Sequence, residues 1–86
     1  MALDSDIAAT ILRLTGERGT DGSISPSDAA RSLAEEWRPL LGPVRRVAAR
    51  LAQEGNIDIL RKGRPVAPAD MKGVIRLRIR PAEPAA

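Results

Sequence analysis

Apolar residues recur near the start of this chain at helical spacing: Ile7, Ile11 and Leu14 stand at i, i+4 and i+7, with Ala8, Leu12 and Thr15 beside them. A stripe of that period, opened by Asp4 or Ser5 as a cap, predicts a core-facing helix running to about Arg18. The stretch GERGTDGS over residues 16–23 breaks the period and predicts a turn, after which Ser23, Ile24 and Ser25 leave room only for a single bridging strand.

A second helix start follows at Ser25-Pro26-Ser27-Asp28. Ser25 suits the N-cap, Pro26 the first helical position and Asp28 the acid three residues beyond the cap that completes a capping box. This helix is expected to run to about Glu35 and to bury Ala30, Leu33 and Trp37. Trp37 is the only aromatic residue, and a lone large ring in a small domain is expected to fill a junction between helices. A third helix ends near Glu54, where Gly55-Asn56 forms a stop signal. Its start is open: Pro43 fits a first helical position with Gly42 as cap, while Pro39 suits a separate turn. At 100° per residue Val44, Val47, Ala48, Leu51 and Ala52 share one arc; Arg45, Arg46, Ala49, Arg50 and Gln53 share the other, which holds no acid.

The period then changes to two. Ile57-Asp58-Ile59 and the run VIRLRIR over residues 74–80 alternate as strands do, and predict an antiparallel pair. Ile57, Ile59, Ile75, Leu77 and Ile79 are expected to face the helices; Asp58, Arg76, Arg78 and Arg80 point outward, where the arginines can pair with Asp58. Between them RKGRPVAPADMKG, residues 61–73, reads as one loop too long for a tight hairpin. Helix, short strand, helix, turn, helix, strand, basic loop, strand is the order of a winged helix-turn-helix. The expected fold is therefore mainly α with a small sheet, an α+β class: three helices plus a two- to three-stranded antiparallel wing in a single domain over residues 1–80. Residues 81–86 are expected to be a disordered tail.

Composition narrows the function. With 86 residues there is room for one core, burying roughly 60 to 65% of the unfolded surface. No stretch approaches a membrane span, and residues 1–6 lack the basic start and apolar run of a signal peptide, so a cytoplasmic location is expected. Cysteine and histidine are absent. That removes disulfides, thiol nucleophiles, imidazole bases and most zinc or haem ligand sets, and the acids show no metal-loop spacing. Ser23, Ser25 and Ser27 have no histidine to activate them. An enzyme is not expected, and no cofactor is implied.

The net charge of +3 conceals a division. Residues 1–37 carry three basic side chains against seven acidic ones, while residues 38–80 carry eleven against three. The basic half should attract polyanions. Twelve of the fourteen cations are Arg, which a GC-rich coding bias accounts for; such a bias does not account for the segregation.

The run WRPLLGPVRRVAARLAQEGNIDILRKG over residues 37–63, with Pro26-Ser27-Asp28 before it and GVIRLR over residues 73–78 after it, resembles a family of small bacterial proteins classed as a domain of unknown function. The resemblance covers nearly the whole chain and implies a free-standing winged helix with no established activity.

In a DNA-binding winged helix the third helix enters the major groove and the wing lies along the backbone or in the neighbouring minor groove. Transferred to this chain, Arg45, Arg46, Arg50 and Gln53 would face the groove, where the Arg fork suits guanine or phosphate and Gln suits adenine. Arg61, Lys62, Arg64 and Lys72 would sit on phosphates, with Arg38 a further backbone contact. Binding of double-stranded DNA in a regulatory or accessory role is the leading expectation. A winged helix used as a protein interaction module is the alternative, since fold alone does not decide function. Structured RNA ranks below both, and the lack of Phe and Tyr weakens single-strand binding. No long dimerisation helix is present, so a monomer or weak homodimer is expected.

Overall fold

The computed structural model describes residues 4–81. Helix α1 (Asp4–Arg18) turns Ile7 and Ile11 fully inward. It also buries Thr15, whose hydroxyl donates to the Ile11 carbonyl at 2.7 Å, so the one buried polar side chain among the described residues is satisfied within its own helix. Leu14 is half-buried at the edge of the stripe. Helix α1 stops at Gly19, whose φ of +73° ends the helical run and whose N–H closes on the Thr15 carbonyl at 3.1 Å.

Helix α2 (Pro26–Leu33) begins as its sequence predicts. The Ser25 hydroxyl accepts from the Asp28 N–H at 3.2 Å, the Asp28 carboxylate accepts from the Ser25 N–H at 2.9 Å, and Pro26 occupies the first turn. It ends at Leu33, short of the expected Glu35, because Ala34 turns to extended backbone at φ −159°. Ala29 and Ala30 are fully buried, while Leu33 and Trp37 are only half-buried. Trp37 thus caps the edge of the core instead of filling it. The interior beneath it is aliphatic, with Ala29 and Ala30 fully buried.

A 3-10 turn (Arg38–Leu40) containing Pro39 leads directly into α3 (Leu41–Gln53). Gly42 therefore lies inside α3 and is not its cap; Pro43 falls in the first turn, where no intrahelical partner is available for an N–H in any case. Val44, Val47, Ala48 and Leu51 are buried as the arc predicts. The helix closes in a Schellman motif: Asn56 N–H donates to Leu51 O at 3.0 Å and Gly55 N–H to Ala52 O at 3.1 Å, with Gly55 at φ +83°.

Three antiparallel strands follow in the spatial order β2-β1-β3: β1 (Ile57–Arg61), β2 (Arg64–Val66) and β3 (Arg76–Ile79). Ile57 pairs with Ile79, Asp58 with Arg78 and Ile59 with Leu77. This register puts Ile57, Ile59 and Leu77 on the helix side, where burial of each is worth about 1.5 to 3 kcal/mol. Ile24 bridges to Leu77 through two backbone bonds of 2.9 and 2.7 Å, so the single bridging strand forms as expected and ties the α1–α2 connection to the sheet.

The segment after β1 departs from expectation. Arg61 pairs directly with Arg64, so Lys62 and Gly63 form a two-residue hairpin and not part of a long open loop. Their φ values of 54° and 80° are both positive, as a turn matching the right-handed twist of its strands requires. Pro65 is accommodated because β2 is an edge strand. A 3-10 turn (Pro68–Asp70) then packs against α3 and returns the chain to β3 on the other side of β1. Three helices and a three-stranded antiparallel sheet make an α+β fold whose layout is consistent with a winged helix. Of the expected tail, residues 82–86 lie outside the described residues.

Candidate nucleic-acid interface

The partners of the cations divide them into engaged and available groups. On the sheet, Asp58 is the hub. Its carboxylate accepts from Arg80 at 2.9 Å and from Arg78 at 3.2 Å, with its own side chain only 14% exposed. Arg76 does not join them: it donates to the Ser23 hydroxyl at 2.6 Å and the Ser23 carbonyl at 2.9 Å, bracing the bridging strand. Arg76 and Arg78 of β3 and Arg80 just after it thus all have structural partners.

The exposed face of α3 is divided. Arg45 is the residue whose geometry differs most from a groove-reading role. Its Nη2 donates to the Met71 carbonyl at 2.8 Å and its Nη1 to the Gly73 carbonyl at 3.2 Å, so the guanidinium holds the connector between β2 and β3. Arg46 meets Asp4 of α1 at 3.0 Å, but both side chains are about half exposed or more, at 65% and 49%. Such a surface pair is worth about 0 to 1 kcal/mol and yields readily to a stronger anion. Arg50 and Gln53 are exposed, and neither has a side-chain partner among the described residues.

At the hairpin, Arg61, Lys62 and Arg64 are all exposed, and none is in an ion pair among the described residues. They line an open concavity of about 570 Å³ together with Pro65 and Val66. The turn carries them there because an inter-strand pair, Arg61 with Arg64, sets two guanidinium stems side by side, with Lys62 at the tip between them. Lys72 is exposed on the connector that Arg45 holds. Arg38 lies over the ring of Trp37, its guanidinium carbon 4.7 Å from the ring centroid.

The nine candidate positions therefore separate into a free set, Arg50, Gln53, Arg61, Lys62, Arg64 and Lys72; a displaceable one, Arg46; a stacked one, Arg38; and a structurally engaged one, Arg45. Sequence reasoning did not include Arg31, which also lies over Trp37 at 4.6 Å. Its place in the acidic half concealed it, although the spacing of six residues between Arg31 and Trp37 across a helix end was visible. Among the described residues no cluster of acids has the arrangement of a metal site, and no helix is long and apolar enough to cross a membrane.

The Asp28 carboxyl is displaced downward from its ordinary range. The Ser25 backbone N–H is the main cause; partial burial opposes it, and the Ser25 hydroxyl and the charges of Arg76 and Arg18 add to it. In the fold it starts α2.

The molecule is thus an α+β fold whose layout is consistent with a winged helix, with three unpaired cations on a tight hairpin and one, Arg50, on the outer face of its third helix. The chain belongs to the family described as a protein of unknown function, DUF3253, which matches it over residues 4–80. Among the curated proteins none matches this sequence.

Proposed function

We propose that this protein binds double-stranded DNA, using the β1–β2 hairpin as its main anchor on the phosphate backbone and Arg50 and Gln53 of α3 as the groove-facing side chains. The observation that supports this reading is the contrast among the cations. The arginines of β3 have protein partners, whereas Arg61, Lys62 and Arg64 project from one turn with none among the described residues. Unpaired guanidinium and ammonium groups gathered on a protruding turn gain most from phosphate, because they release condensed counterions without first breaking an internal bond. Base reading is expected to be modest. Arg45 is held by Met71 and Gly73, which leaves one arginine and one glutamine free on that face. The role is one of binding, regulatory or accessory, and not catalysis.

The test is fluorescence anisotropy of a labelled random-sequence duplex at two or more salt concentrations. Arg61, Lys62, Arg64 and Lys72 contacting four phosphates give a log–log salt slope of about −4, or roughly a hundred-fold weaker affinity on going from 50 to 200 mM salt. Arg61→Ala and Arg64→Ala are each expected to reduce that slope by about 1. Absence of binding at low salt overturns the reading and turns attention to the protein-interaction use of the fold.

A further inference from the structure

We infer that Arg31, Trp37 and Arg38 form a second phosphate-binding site, a clamp in which one indole ring holds two guanidinium groups ready for phosphates of the duplex backbone. The inference rests on the DNA-binding reading and adds to it a contact point outside the hairpin and the outer face of α3.

The guanidinium carbons of Arg31 and Arg38 lie 4.6 and 4.7 Å from the centroid of the Trp37 ring. Stacking on an indole restrains the plane of a guanidinium and leaves its N–H edge free, so the fork is oriented before a ligand arrives. Neither guanidinium donates a hydrogen bond to, or forms an ion pair with, any described residue, although exposed Glu35 and Glu36 share the connecting segment. The ring itself is fixed: Trp37 packs on the edge of the core, so the platform does not move with solvent.

Position supports the same ligand. Arg38 opens the 3-10 turn that runs directly into α3, and the first turn of α3 carries no acid. Arg50 lies near the other end of that helix, about 20 Å long by its residue count. A duplex laid along α3 therefore has a backbone contact available at the helix start as well as groove contacts along its length.

Trp37 is the sole aromatic residue, so its emission reports on this site alone. The experiment titrates the wild-type protein with an unlabelled duplex while following tryptophan fluorescence, and measures salt slopes for Arg31→Ala and Arg38→Ala by anisotropy. Both arginines are exposed, so neither change opens the core. The expected result is a saturable change in Trp37 emission at the affinity found by anisotropy, and a slope reduced by about 1 in each variant. Arg38→Lys is expected to retain the slope but bind a few-fold more weakly than wild type, since a point charge lacks the stacked fork. Duplex binding with unchanged emission and wild-type slopes in both Ala variants overturns the clamp and leaves the hairpin reading standing. No duplex binding at low salt overturns both.

Discussion

Arg45 on α3 reaches Met71 on the connector before β3, its Nη2 donating to the Met71 carbonyl at 2.8 Å, while the neighbouring Nη1 takes the Gly73 carbonyl at 3.2 Å. This one side chain ties the third helix to the segment that carries Lys72. Replacing it with methionine preserves the stem and removes both bonds. Hydrogen bonds from a charged donor contribute about 1.5 to 3 kcal/mol, less at a partly exposed site, so a loss of about 1 kcal/mol is expected in urea denaturation. Trypsin cleavage after Lys72 should accelerate in native buffer. Arg45→Lys should behave like the methionine variant in the proteolysis assay, because an ammonium does not span two carbonyls as a planar fork does. Wild-type cleavage rates in both variants would show that the connector is held by other contacts.

Asp58 faces Arg78 across the β1–β3 ladder and also binds Arg80. Asp58→Asn keeps the shape and removes the charge, leaving two guanidinium groups on one sheet face without a counter-ion. A destabilisation of about 1 to 2 kcal/mol is expected, measured as a lower urea midpoint with an unchanged slope. The reverse changes, Arg78→Ala or Arg80→Ala, should cost less, since each leaves Asp58 one remaining partner.

The capping box makes α2 sensitive to acid. The Asp28 carboxyl titrates below its ordinary value, chiefly because the Ser25 N–H donates to the ionised form. A depressed carboxyl pKa contributes stability that is complete above the unfolded value of about 4 and is lost as pH falls through the folded value. Asp28→Ala is expected to cost about 1 kcal/mol at pH 7. In thermal melts the difference between this variant and wild type should shrink steadily below about pH 4. A constant difference down to pH 2 would argue against the assignment.

At the hairpin, structure and binding can be separated by two substitutions. Gly63 stands at φ +80°, where any Cβ is strained, so Gly63→Ala is expected to destabilise by about 1 kcal/mol. Lys62 sits at φ 54°, which asparagine adopts more easily. Lys62→Asn should therefore raise the melting temperature slightly while weakening duplex binding and reducing its salt slope by about 1. A stabilised variant with undiminished affinity would remove Lys62 from the interface.

Much of the fold was legible because its signals are local. The Ser25 to Asp28 box, the Gly55 stop and the i, i+4, i+7 stripe of α1 each act within a few residues, so chain and structure agree on them. The hairpin was not legible. Lys62-Gly63 lacks the Asn or Asp that usually announces such a turn, and Pro65 and Pro68 made residues 61–73 look like one open loop. What closes the turn is pairing of β2 with β1, itself fixed by the packing of β1 on the helices.

The segregation of charge, the acid-free arc of α3 and the exclusion of thiol and imidazole chemistry belong to the sequence alone, since they depend only on which residues are present and in what order. Which cations remain available was decided by the tertiary structure. Arg45, Arg46 and Arg76 find acceptors 26, 42 and 53 residues away. Arg61, Lys62 and Arg64, on and beside a two-residue turn, find none among the described residues. A guanidinium has the same charge in either setting; its freedom to bind depends on distances that only the folded chain creates.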